Sequence, residues 1–513
     1  MSNQQLSTRT KYSVKNAGIA MSTKILAIVF GFFARMVFTH TLSMEYVGVN
    51  GLFTNILGAL NFADLGIGTA LVYTMYEPVA KGDVSKQKAL MKLYDRMYRI
   101  IALVVFVIGA LMFPIIRVLV HDTDGVHGVM LIYFMFLART IFSYVMMYRS
   151  MIFLANQRNY VNDMLDSLFL VLQNIIQIIL LLVTRNYFLY LAVYVITVLL
   201  RNTVIYHRAE QEYPEVFEPC EDTVPEEEQK GIYRNLKAML MHKIGEVLIN
   251  NIDNLTLTAI VGITAVGMYS NYYLIIGSVR QIIDRIIYGI AGSVGNLGAT
   301  EKKEHVREVF LGTFFLVAAG YGLAAIALYE LLDIFVASSF GAQYVFPKLV
   351  TMVLCINFFL NGVRRVSLIF RDSLGLFWND RYKTIVESLV NLVTSIILAR
   401  KLGTAGVFIG TFISIVGVSM WVEPLVLYKD YFQAPVSEYF RKLAKYCILF
   451  ALAWGATDSL NRVIPWGSEL IQYLGMIVIS IVIPVFFLVV INLRTPEFRF
   501  VMSHLHPKQE EHA

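Results

Sequence analysis

The chain has 513 residues, 57% of them hydrophobic and only 16% charged, with a mean hydropathy of +0.61. Soluble globular proteins are about 45–50% apolar and about 25% charged, so this composition specifies a polytopic membrane protein. The net charge of +6 does not indicate a nucleic-acid partner, because the positive residues fall mainly on one side of the predicted membrane spans.

The stretch through Asn16 is polar and the apolar run after it is too long for the core of a signal peptide, so no cleavable leader is expected. Apolar runs of about 20 residues, the length that crosses a bilayer, predict about fourteen transmembrane helices. They fall near 14–41, 46–76, 93–120, 127–153, 161–184, 187–207, 236–262, 266–298, 307–336, 347–370, 382–400, 405–428, 442–460 and 468–493. After the sixth run the pattern breaks. Residues 208–231 are acidic, carry three prolines and lack apolar periodicity, so 208–235 reads as a solvated linker between two bundles. The expected domains are an N-terminal lobe (1–207), this linker, a C-terminal lobe (236–428), and two further helices with a tail (429–513).

Lys and Arg set the orientation. One set of connections holds only Arg117, Arg185, Lys348, Arg400, Lys401 and Arg462, whereas the other is dense, with Lys81, Lys86, Lys88 and Lys92 in a single stretch. Positive charge stays on the cytoplasmic side, so both termini are expected there.

The second bundle echoes the first. Residues 42–55 align with 261–274, with Val47-Gly48 over Val266-Gly267, and the same register brings Asp64 within one residue of Asp284. Transporters are often built from such repeats around a midplane site. Ionisable groups inside apolar spans are costly and usually face a cavity or a protein interior. At 100° per residue, Lys24 and Arg35 differ by about 20° and share a face, about 16 Å apart along the axis. Asn50, Asn61 and Asp64 fall within an arc of about 60°, and Lys243, Glu246, Asn250, Asp253 and Asn254 within about 100°. Arg280 and Asp284 are one turn apart with Arg285 beside them, and Arg139 lies near the middle of the fourth span. These are stripes, not scatter.

Each residue also has a plainer reading. Lys24 and Arg35 are near enough to helix ends to snorkel. Arg280 and Asp284 can be a structural ion pair, Arg139 can pair with Asp64 or Glu387, and the asparagines can be interhelical glue. Taken together, the deep cations Lys24, Arg35, Arg139, Arg280 and Arg285 outnumber Asp64, Asp253 and Asp284. Such a bias suits an anionic head group, since Arg holds phosphate through a fixed fork. A minority carboxylate suits coupling to H+ or Na+. The chain has no Walker-type phosphate loop, no HExxH and no nucleophile elbow, and its three cysteines lack metal spacing, so an enzyme, a cofactor and a metal centre are not expected.

Two stretches are fairly specific. Residues 35–83, RMVFTHTLSMEYVGVNGLFTNILGALNFADLGIGTALVYTMYEPVAKGD, with 88–100, KALMKLYDRMYRI, resemble the N-terminal portion of the Wzx-like flippase family of bacterial polysaccharide transporters. Residues 371–414 resemble a later segment of the same family. It belongs to the multidrug/oligosaccharidyl-lipid/polysaccharide exporter superfamily. The resemblance implies two pseudo-symmetric six-helix lobes plus two C-terminal helices in an all-α, multi-pass protein of the bacterial inner membrane. It further implies translocation of an undecaprenyl-diphosphate-linked oligosaccharide by alternating access, for O-antigen, lipopolysaccharide or exopolysaccharide assembly. A glycan polymerase and glycosyltransferases would be its functional partners. The expected cavity residues are Lys24, Arg35, Asn61, Asp64, Arg139, Asn250, Asn254, Arg280, Asp284 and Arg285. The alternatives are a lipid II-type flippase, a cation-coupled multidrug exporter of the same superfamily, and a membrane glycan polymerase. An excess of deep cations disfavours the drug exporter, and short outer loops disfavour the polymerase.

Overall fold

The computed structural model describes residues 26–59, 67–119, 126–156, 158, 160–219, 223–233, 252–374, 376, 382–464 and 468–505. Among these residues all regular structure is helical, and the chain divides into two units, Met1–Asn254 and Leu255–Ala513. Eight helical stretches of the described residues are long and apolar enough to cross a membrane. The predicted all-α, multi-pass architecture is the observed one.

Unit 1 runs through α1 (Leu26–Thr41), α2 (Met44–Ala59), α3 (Ile67–Lys81), α4 (Val84–Leu119) and α5 (Val129–Tyr144). It continues with α6 (Ser150–Ala155), α7 (Tyr160–Thr184), α8 (Tyr187–Glu212), α9 (Pro214–Phe217) and α10 (226–233). The turn into α8 follows from one side chain: Asn186 Oδ1 accepts from the backbone N–H groups of Phe188 (2.8 Å) and Leu189 (3.2 Å), capping two otherwise orphaned donors.

The fourth predicted span, 127–153, is not one helix. It breaks after α5 at Val145, which is extended, and Met146, which adopts a left-handed φ of 68°. No glycine or proline marks this break. Carbonyls freed by it are satisfied from α8: Asn202 Nδ2 donates to Phe142 O (2.8 Å) and Val145 O (2.9 Å). Irregular backbone among apolar helices persists only where such partners exist.

The predicted linker also differs from a free loop. Residues 214–219 and 223–233 lie on α4, burying Val216, Val224 and Ile232, and Lys88 and Lys86 pair with Glu218 (2.9 Å) and Glu228 (3.1 Å).

Unit 2 holds α11 (Ile252–Thr256), which straddles the division, then α12 (Ile263–Thr300), α13 (Lys303–Phe340), α14 (Lys348–Ser373), α15 (Lys383–Leu402) and α16 (Thr404–Ser414). After these come α17 (Met420–Val426), α18 (Ser437–Val463), α19 (Glu469–Asn492) and α20 (Pro496–Leu505). In α13 and α14 the most apolar stretch is 67% buried, against 22% in α19, so these two helices form the centre of the unit. Close approach is built from small residues. A Cβ on Gly362 would stand 2.1 Å from the Tyr321 ring, so α14 accepts that ring only because residue 362 is glycine. Gly406 and Gly410, four apart, bring α16 against α15: a Cβ on either would come within 2.2 Å of Leu398 O or Ser395 Oγ.

The helix carrying α16 and α17 is not uniform. Five-residue π-helical turn Ile415–Ser419 precedes α17 and a second, Leu427–Phe432, follows it, with Pro424 between them. Proline lacks the N–H of the regular ladder and its ring crowds the carbonyl one turn back, which widens the local winding.

Candidate functional site

In unit 1 half-buried Arg35 and Arg139 and buried Arg149 sit on aromatic faces. Arg139, on α5, stacks its guanidinium 3.6 Å from the centre of the Tyr194 ring of α8. Its Nε is buried without a hydrogen-bond partner, and among the described residues no carboxylate pairs with it. The Tyr194 ring lies edge-on to Phe136, 6.0 Å between centres, and close enough to Tyr190 to act on it electrostatically. Tyr190 in turn packs in an aromatic wall with Phe38, Tyr46 and Tyr187, whose ring centres are 5.0–6.0 Å apart. Tyr187 donates its hydroxyl to Asn50 Oδ1 at 3.0 Å, tying α8 to α2. Arg35, on α1, lies 5.4 Å over Phe38 in the same wall. Both Arg35 and Arg139 lie near enough to Tyr190 to act on it electrostatically. Arg149 repeats the device at the break after α5: its guanidinium lies 3.3 Å from the centre of the Tyr206 ring and 4.4 Å from that of Phe217, with Glu210 at 3.5 Å.

In unit 2 carboxylates take over. Arg364 of α14 donates Nη1 to Glu387 (2.8 Å) and Nε to Glu423 (2.7 Å). Lys383, at the start of α15, bonds Glu423 as well and lies 3.7 Å from Glu387. Glu423 is fully buried, directly before Pro424, and its second oxygen has no partner. Two cations and two anions thus make a neutral quartet joining α14, α15 and α17. Removing one member of such a group strands the others in a low dielectric, at a cost of about 3–5 kcal/mol.

The neighbouring residue, Arg365, serves a different partner. Its Nη1 meets Asp284 Oδ2 of α12 at 2.7 Å, while Tyr321 of α13 donates its hydroxyl to Asp284 Oδ1 at 2.6 Å. Arg280, one turn before Asp284, donates Nη2 to the Tyr273 hydroxyl at 3.1 Å and lies 5.7 Å from that ring's centre. A third group closes the far end of α13 and α14. There Asp333 accepts from Tyr272 (2.8 Å), Thr351 (2.6 Å) and Lys348 (3.2 Å).

These positions sort the predicted residues. Lys24, Asn61, Asp64 and Asn250 lie outside the described residues, and Arg285 is on α12 with its side chain outside them. Asn254, within α11, is buried. Arg35 and Arg139 share the aromatic wall of unit 1. Arg280 and Asp284 are neighbours in unit 2, yet the carboxylate's ion pair is with Arg365. Glu387, one of two partners expected for Arg139, is occupied by Arg364 and Lys383. Sequence reasoning passed over Arg364, Arg365, Lys383 and Glu423. Their signal was available: each is ionisable at or within an apolar run, and Glu423 is followed by a proline.

The fold has known counterparts. Over 91% of this chain and 99% of the other, it is similar to the lipid II flippase MurJ in an inward closed conformation, with a TM-score of 0.57 and 12% identity. It is also similar to a multidrug resistance MATE family transporter of the MOP superfamily in an inward-facing conformation. That match has a TM-score of 0.60 and 15% identity, covering 80% of this chain and 98% of that one. At such identities the likeness is one of fold. Comparison with curated protein sequences gives no match. A family model does match, that of the polysaccharide biosynthesis proteins, over residues 13–294. This covers more than half of the chain, including the aromatic wall and Arg280. The chain belongs to the polysaccharide biosynthesis protein family.

Proposed function

We propose that this membrane transporter is a flippase, not an enzyme, that moves an undecaprenyl-diphosphate-linked oligosaccharide across the bacterial cytoplasmic membrane by alternating access. It feeds surface polysaccharide assembly, alongside a polymerase and glycosyltransferases, with both of its termini cytoplasmic. One observation carries the reading. Arg139 and Arg280 lie within helical spans, each on a tyrosine, and among the described residues neither has a carboxylate in ion-pair contact. A cation seated on an aromatic face keeps its charge uncompensated, and a guanidinium matches phosphate oxygens in pairs. Lys24, Arg35, Asn61, Asp64, Asn250, Asn254 and Arg285 complete the proposed lining, and H+ or Na+ is the proposed coupling ion. A cationic drug would be repelled by the same arginines, which favours the diphosphate substrate.

The test is complementation of a deletion strain with Arg139→Gln, Arg280→Gln and the double variant, each checked for membrane abundance. The expected result is accumulation of undecaprenyl-linked oligosaccharide on the cytoplasmic leaflet and loss of surface glycan. Full surface glycan from an abundant double variant would overturn the reading, and accumulation of lipid II in the deletion strain would redirect it to that substrate.

A further inference from the structure

In sequence Arg280 and Asp284 look like a self-neutralising pair. Their Cβ atoms are about 5–6 Å apart on one helix face, the spacing at which such side chains meet. Self-neutralisation would remove the charge that an anionic head group needs. In the structure the pair is not closed. Both Asp284 oxygens are already taken, Oδ2 by Arg365 at 2.7 Å and Oδ1 by the Tyr321 hydroxyl at 2.6 Å. Arg280 turns instead to the Tyr273 hydroxyl and ring. Asp284 still attracts Arg280 electrostatically, without contact. Tyr321 reaches its position because Gly362, three residues before Arg365 on α14, leaves room for the ring.

We propose that Arg365 is a positioning residue for anion recognition: by occupying Asp284 from the neighbouring helix, it holds Arg280 free to bind the diphosphate. The inference rests on the flippase reading and names which residue arms its site in unit 2. Arg280, Arg365 and Asp284 together carry one net positive charge, and Arg365 determines that this charge resides on Arg280. Without Arg365, the carboxylate loses its cation inside a low-dielectric environment and recruits the nearest other, one turn away. The charge of the group then falls to zero and the guanidinium is withdrawn.

This predicts a pattern that a purely structural role does not. Binding of undecaprenyl diphosphate to the full-length protein in nanodiscs should weaken about tenfold or more in Arg280→Gln, one charge-assisted contact being worth at least a factor of ten. Arg365→Gln should weaken it by a similar factor although it leaves Arg280 in place. Arg365→Lys should bind close to wild type. The double variant Arg365→Gln/Asp284→Asn should recover most of the affinity lost in Arg365→Gln, because the competing carboxylate is gone. Thermal unfolding of each variant identifies those that fold. Wild-type binding by Arg280→Gln would overturn the diphosphate reading itself. Weak binding by Arg280→Gln with wild-type binding by Arg365→Gln would overturn only the positioning role. So would failure of Asp284→Asn to rescue a folded double variant.

Discussion

The two units keep cations among apolar helices by different chemistry. Unit 1 uses rings: Arg139 on Tyr194, Arg35 over Phe38, and Arg149 between Tyr206 and Phe217 with Glu210 at 3.5 Å as well. Unit 2 uses carboxylates: Arg364 and Lys383 with Glu387 and Glu423, and Arg365 with Asp284. A ring offers a quadrupole and leaves the cation's net charge in place. A carboxylate cancels that charge and fixes both partners. A ring-seated cation with no carboxylate in ion-pair contact, as at Arg139, therefore suits recognition, whereas carboxylate-paired ones suit cohesion, and Arg280 of unit 2 follows the pattern of Arg139.

The contrast breaks first at Glu423. Glu423→Gln should cost about 3–5 kcal/mol, because Arg364 and Lys383 lose their shared anion inside the unit. Thermal or denaturant unfolding in detergent checks this, and unchanged stability would mean that the quartet does not bind α17 to α14 and α15. Gly362→Ala comes next, at about 1–3 kcal/mol, since the added methyl must push the Tyr321 ring off α14. The Tyr321 hydroxyl should then leave Asp284. Smallest in stability is Arg139→Gln, expected within about 0.5–2 kcal/mol, the worth of the cation–ring contact, because no carboxylate is left stranded. That variant should nonetheless lose transport. An Arg139→Gln protein as unstable as Glu423→Gln would erase the distinction between the two units.

Much of this was legible in the residues. Composition gave the membrane, and apolar run lengths placed most described helices within a few residues. Helical phasing found Asp284 and Arg280, because a stripe is a local property of one helix. It did not reach Asp284's partner, since Arg365 lies 81 residues further along the chain (365 − 284) and periodicity reveals a face but not its neighbour. The break at Val145–Met146 was unreadable for a related reason. No local breaker marks it, and its freed carbonyls are satisfied by the amide of Asn202, more than fifty residues away, which donates to them. Glu423 was overlooked although Pro424 stands beside it. A charged residue flanking a proline within an apolar run announces a helix that is locally rewound.

Residues 214–219 and 223–233 rest on α4 by two unlike attachments, buried valines and half-exposed ion pairs. These respond oppositely to ionic strength. Salt screens exposed charges beyond about 8–10 Å at physiological concentrations and more tightly as it rises, while apolar burial is unaffected or strengthened. Lys86–Glu228 and Lys88–Glu218 should therefore loosen first as salt increases, with Val216 and Val224 still seated. Protease access to this stretch, compared at low and high salt, would read how firmly a segment that looks like a tether is in fact moored.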